Sequence, residues 1–213
     1  DTAQPSFLAG YLAAAKSESG VVGTFGGLNI PTVTIFMTGF AQGVAHYNEE
    51  NDADVKVLGW DPAKPTGGSF TESFEDKQAG QSIAEGMIQQ GADIIFPVAG
   101  PAGLGGLQAA KDNDKWGIWV DTDGCVSAAE YCDILLTSVV KGMDVAVEQA
   151  IYDSATGAFN NEIYSGTLDR HRGLRRGQTH LGRGFPVAEV HGAERLALSF
   201  GSCDRMSLTA ESS

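Results

Sequence analysis

Residues 91–106 read GADIIFPVAGPAGLGG, residues 116–124 read WGIWVDTDG, and residues 134–144 read ILLTSVVKGMD. Asp93–Val98 and Trp116–Val120 are short apolar runs, each followed at once by glycines or carboxylates. Runs of this length are too short for a helix and end in turn chemistry, so each reads as a buried strand of a parallel sheet. In open α/β sheets, ligands bind just past the carboxyl ends of such strands. Gly100, Asp121, Asp123 and Lys141 follow those ends and are expected at one rim, an arrangement that fits a small polar ligand.

The flanking sequence keeps the same alternation. Phe7, Leu8, Tyr11, Leu12 and Ala15 recur at helical spacing and predict an amphipathic helix over Pro5–Ser17. Val21–Phe25 reads as a strand, with Gly26 and Gly27 as its turn. Thr32–Asn48 reads as a helix with Val33, Phe36, Met37, Phe40 and Val44 on one stripe, and Asp54–Gly59 as the second strand. Two prolines and two glycines make 61–68 a loop. Ser73, with Asp76 three residues on, predicts a capped helix start. That helix is expected to bury Ile83, Met87 and Ile88 and to stop at Gly91. A helix after Pro101 carries Leu104, Leu107 and Ala110. Ile134–Val139 is a fifth extended run, and Met143, Val147 and Ile151 mark a further helix ending near Asp153. Strands alternating with helices predict a three-layer, doubly wound α/β fold with a parallel sheet.

Composition bounds the function. The chain has 213 residues, 42% of them hydrophobic, enough for one large domain or two small ones. No apolar run approaches the ~20 residues that span a bilayer. A net charge of −13 argues against nucleic acid as a partner and offers no basic patch for anionic lipid. The charge is unevenly spread. Residues 1–169 carry seven lysines and no arginine against 23 carboxylates, a net −16, whereas residues 170–213 carry seven arginines and no lysine against four, a net +3. Three of the four histidines also lie in that tail. Such a switch, with lost periodicity, points to a reading-frame error near Asp169; the other reading is a basic interaction tail.

Signatures of enzymes are weak. GPAGLGG lacks the Lys-Ser/Thr pair of a phosphate loop. Neither a Gly-x-Ser-x-Gly elbow nor an HExxH zinc motif occurs, and no metal or cofactor is expected. His46 reads as a helix-surface residue.

Five blocks, VVGTFGGLNIP (21–31), FMTGFAQGVAHYN (36–48), GADIIFPVAG (91–100), GIWVDTDG (117–124) and LLTSVVKGMDVAV (135–147), occur in the order and spacing of the basic membrane protein family. The chain resembles that family over about Phe7–Leu168. The resemblance implies a substrate-binding lipoprotein of an ABC importer with the type I periplasmic binding protein fold, in which two α/β lobes clamp a nucleoside or related small molecule. It further implies that this chain is an N-terminally truncated fragment. Residues 1–137 would be the second lobe, 138–169 a return segment to a first lobe this chain does not contain, and 170–213 an atypical tail. The helix around Met143–Tyr152 and a strand at Tyr164–Leu168 would belong to that first lobe, and their apolar faces would have no native partner here. ABC permease subunits would be the protein partner. The location would be extracytoplasmic, with a lipid anchor carried on the missing N-terminus. Two rivals stand beside this reading: a ligand-sensing effector domain of a regulator, and a nucleoside hydrolase of similar fold.

The resemblance also assigns roles. Phe36 would stack on the base, although its spacing alone makes it a core residue. Gly100 would let backbone approach the ligand. Asp121 would accept bonds from ribose hydroxyls, since two carboxylate oxygens can bridge vicinal donors; Asp123 could do so or cap a turn. Lys141, read as lying in the first turn of a helix against the dipole, would reach the sugar. Cys125 and Cys132 could form a disulfide that braces the Asp121 loop, as export permits.

Overall fold

The structure is a computed structural model, and it describes residues 1–159, 161 and 165–167. The expected frame error, the tail and Cys203 lie outside the described residues. Of the strand expected at Tyr164–Leu168, only 165–167 are described, and they carry no regular structure.

Five strands alternate with helices: α1 (Ala3–Lys16), β1 (Val21–Gly26), α2 (Pro31–Asn51), β2 (Lys56–Leu58), α3 (Lys77–Gln89), β3 (Ile94–Val98), α4 (Gly103–Asp112), β4 (Trp116–Asp121), α5 (Gly124–Ser127), β5 (Leu135–Val140) and α6 (Met143–Thr156). The strands are all parallel, in the order β2-β1-β3-β4-β5. Helices α1 and α2 cover one face, with Met37, Phe40 and Phe96 in the shared core; α3 and α4 cover the other, around Phe25, Ile95 and Ala109. This is the three-layer, doubly wound arrangement the alternation predicts.

The helices pack close because small residues face each other. A Cβ added at Gly10 would lie 2.0 Å from the Phe40 carbonyl oxygen, and one at Gly43 2.0 Å from that of Phe7, so α1 and α2 meet backbone to backbone. Gly91, at φ +100, ends the α3 turn as expected. The cap of α3 differs from expectation. Asp76 itself is the N-cap, its side chain accepting from Ala79 N–H at 3.0 Å, while Ser73 accepts from Glu75 N–H. Asp76 stands immediately before the helix, where an N-cap side chain meets the third helical N–H, whereas Ser73 lies three residues further back. Strand β2 is shorter than the expected Asp54–Gly59, because the Asn48 side chain takes both the N–H and the carbonyl of Val55. Nothing periodic marks α5 or the 3-10 turn Ala129–Ile134, which fill the stretch between β4 and β5.

Helix α6 differs from the other long helices: none of its residues is buried. Met143, Val147 and Ile151 are 59%, 56% and 64% exposed.

Candidate functional site

The carboxyl ends of β1, β3, β4 and β5 share one edge, where strand order reverses between β1 and β3. A doubly wound sheet holds its ligand at that edge. Gly100 follows β3 at φ +53 and opens a 3-10 turn, Gly100–Ala102, that leads into α4. That conformation suits glycine, whose backbone can then approach a bound molecule.

Asp121 is the last residue of β4. It is exposed and holds φ +68, which side chains other than Asn and Asp rarely tolerate. Its partner across the ladder is Val140, and its carbonyl accepts the Lys141 N–H at 2.8 Å. The structure therefore brings Asp121 and Lys141 together. Lys141 lies between β5 and α6, two residues before the helix begins, and not in its first turn as the sequence predicts. Strand pairing with β4 carries the extended run to Val140 and delays the helix. The Lys141 ammonium sits 5.9 Å from the centre of the Phe36 ring. Phe36 is 2% exposed, packed in the core between α2 and the sheet.

Asp123 is spent on local structure. Its carboxylate accepts from Cys125 N–H at 2.9 Å and caps α5. Ser127 ties the same loop, accepting from Trp119 Nε1 at 2.9 Å and pairing with the Thr122 hydroxyl at 2.6 Å, while the Ser138 hydroxyl accepts from Gly124 N–H. Cys125 and Cys132 form a disulfide that staples α5 to the following turn. Tyr131, beside it, donates to Gln108, and burial pushes its hydroxyl pKa up. The sequence reading missed Ser127, Ser138 and Thr122, because a hydroxyl residue in a loop or strand carries no signal of the group it will bond. His46 lies on the surface of α2 beside Glu50, as expected.

Two features of β3 shape the rim. The β3–β4 ladder stops at Ile95/Gly117, whereas β3 stays paired with β1 as far as Val98. Val98 and Phe96 turn their carbonyls toward β1, accepting from Gly27 N–H and the Thr24 hydroxyl. Pro97, between them, therefore faces β4 and has no N–H to offer it. The β3–β4 ladder therefore ends three residues before the β3–β1 ladder does. Among the described residues there is no group of three or more His, Cys, Asp or Glu that could hold a metal, and no helix long and apolar enough to cross a membrane.

A doubly wound lobe with a polar rim at its strand ends defines a class of small-molecule binding modules. Residues 1–174 match the family described as ABC transporter substrate-binding protein PnrA-like (Bmp), and the chain belongs to that family. Basic membrane protein B of Borreliella burgdorferi is 33% identical over 178 residues, which are 82% of this chain and 46% of that protein. The chain thus spans about half the length of that relative. An ABC transporter system solute-binding protein from Aeropyrum pernix K1 superposes with a TM-score of 0.60 at 29% identity, over 74% of this chain and 43% of that one. A transcriptional activator of the comK gene from Bacillus halodurans superposes with a TM-score of 0.58 at 16% identity, over 74% and 49%, a likeness of fold alone. The fold is a lobe of the type I periplasmic binding protein kind, in a family of substrate-binding proteins.

Proposed function

We propose that the chain is the second lobe of a solute-binding component of an ABC importer, and that its ligand is a nucleoside or a close relative. The observation that carries this is the pairing of Asp121 with Lys141 across the β4–β5 end, beyond the point where the β3–β4 ladder stops. A carboxylate and an ammonium at one rim suit the vicinal hydroxyls and ring oxygen of a ribose. Gly100 offers backbone groups past the end of β3. Phe36, under Lys141, supports the ammonium from below and would meet a base only if Lys141 swung aside.

Residues 1–137 would form the lobe, 138–169 the return toward a first lobe, and 170–213 an atypical tail. The exposed apolar stripe of α6 supports the return segment, because such a face requires cover. The switch from lysine to arginine supports the frame error near Asp169, and the family match ends close by, at residue 174. In the two-lobed protein, hinge closure would bury the ligand, and the closed form would dock on permease subunits outside the cytoplasm, held at the membrane by a lipid anchor. The effector-domain reading rests on the Bacillus halodurans likeness, which concerns fold only.

Calorimetric titration of the two-lobed protein with a panel of nucleosides and free sugars tests the proposal. Nucleoside binding that exceeds binding of the free base and of ribose supports it. Binding of sugars alone, or hydrolysis of the nucleoside, sinks it.

A further inference from the structure

Helix α6 carries a face whose two halves fit each other. Met143, Val147 and Ile151 stand four residues apart and form one exposed ridge. Beside it, Ala150 and Ser154 form a row of short side chains, a furrow along the same helix. Gly157, at φ +74, then reverses the chain. The N–H of Ala158 donates to the Asp153 carbonyl at 2.8 Å, and Phe159, also exposed, returns to the helix. The result is a shallow groove of about 550 Å³ lined by Val147, Ala150, Ile151, Ser154, Ala155 and Phe159.

The four large side chains and the small ones between them expose roughly 400 Å² of apolar surface, the size at which a patch marks an interaction site. Pairing two such faces removes about 800–1,000 Å² from water, the low end of specific interfaces, where association is weak and reversible. Helices pack by setting the ridge of one into the furrow of the other. A two-fold interface uses one patch twice. A ridge and a furrow side by side on one helix are therefore complementary to the same helix turned about a two-fold axis.

We propose that the 213-residue chain forms a dimer through α6. The two helices run antiparallel, with Val147 and Ile151 of each copy seated over Ala150 and Ser154 of the other. Under the two-lobe reading the first lobe takes the same face, and the pairing is then confined to this chain. It does not depend on what the ligand is.

Charge gives the dimer a signature. Asp144 and Glu148 flank the ridge on the side away from the furrow, and α6 holds no lysine, arginine or histidine. In the antiparallel pair these carboxylates of the two copies line up along one side, so like charge resists the dimer and salt tightens it. A second way for copies to associate is the tail, whose seven arginines could dock on the acidic lobe of another copy. Salt would release that contact, so ionic strength separates the two.

The test is sedimentation velocity of the 213-residue chain from low to high micromolar concentration, at low and at molar salt. A shift from one-chain to two-chain mass is expected as concentration rises, and it is expected to be stronger at molar salt. Ile151→Glu changes an exposed position, so the lobe still folds. It sets a carboxylate against each furrow and is expected to weaken association at least about tenfold. Asp144→Asn combined with Glu148→Gln is expected to tighten association at low salt. One-chain mass throughout overturns the proposal, as does association that Ile151→Glu leaves unchanged or that salt dissolves. Each of these leaves the ligand reading untouched.

Discussion

The backbone N–H of Lys141 donates to the carbonyl of Asp121 over 2.8 Å. Twenty residues apart in sequence, the two are neighbours because β4 and β5 are adjacent, with Asp121 opposite Val140. The bond anchors both side chains at the same end of the sheet. Asp121 meets it from a left-handed conformation, φ +68, and non-glycine backbone held there costs of order 1–3 kcal/mol. Such strain persists only where the surroundings over-determine it. Here the ladder to β5 and the knot of Ser127, Thr122 and Asp123 do so.

The first prediction concerns the carboxylate. In the two-lobed protein, Asp121→Ala is expected to weaken nucleoside affinity at least tenfold, because a hydrogen bond to a charged acceptor contributes ~1.5–3 kcal/mol. Asp121→Asn tolerates the same backbone, so its loss reports the charge and the second acceptor oxygen without a backbone effect. A 2′,3′-dideoxynucleoside is expected to lose similarly against wild type, and the two losses should not add, since they remove one interaction. Calorimetry reads all three; equal affinity for wild type and Asp121→Ala takes Asp121 out of the site.

A second prediction separates the lobe from the whole. Residues 1–213 alone are expected to bind nucleoside in the millimolar range, far more weakly than the two-lobed protein. A single lobe would supply only half of a cleft wall, so ligand surface would stay wet and closure would have nothing to close against. Submicromolar binding by the chain alone would overturn the lobe reading.

The disulfide gives the third. Under oxidising conditions Cys125 and Cys132 should resist alkylation, and reductant should expose both. Replacing the pair with serine is expected to cost about 2 kcal/mol, in keeping with closure of a short loop, read by urea denaturation. Nucleoside affinity should fall with it, because the staple holds the loop that follows Asp121. Unchanged stability of the double variant would show the staple to be idle.

Two glycines make the fourth, as a matched pair. Gly10→Ala drives a methyl into the Phe40 carbonyl and is expected to destabilise by about 1–3 kcal/mol or more. Gly86→Ala, inside α3 with nothing within 4 Å of its new methyl, is expected to stabilise by about 0.5–1 kcal/mol. Thermal denaturation decides, and equal shifts in both would contradict the close α1–α2 packing.

Much of this molecule could be read from the residues alone. Period and punctuation are local properties, so the apolar runs at Asp93–Val98 and Trp116–Val120 declared strands, and the stripe from Val33 to Val44 declared a helix. The polar residues after those runs declared the rim, because chain direction in a parallel sheet puts every carboxyl end on one edge. Tertiary structure decided what depends on neighbours distant in sequence. Asp121 comes to lie beside Val140 and Lys141 through the β4–β5 pairing. Lys141 is drawn out of its helix by pairing with β4. Phe36 is covered between α2 and the sheet, while Phe74 packs on Gly27 past the end of β1. Burial and hydrogen bonding between remote segments are set by the summed packing of the whole chain, and a residue's own neighbours in sequence carry no record of it.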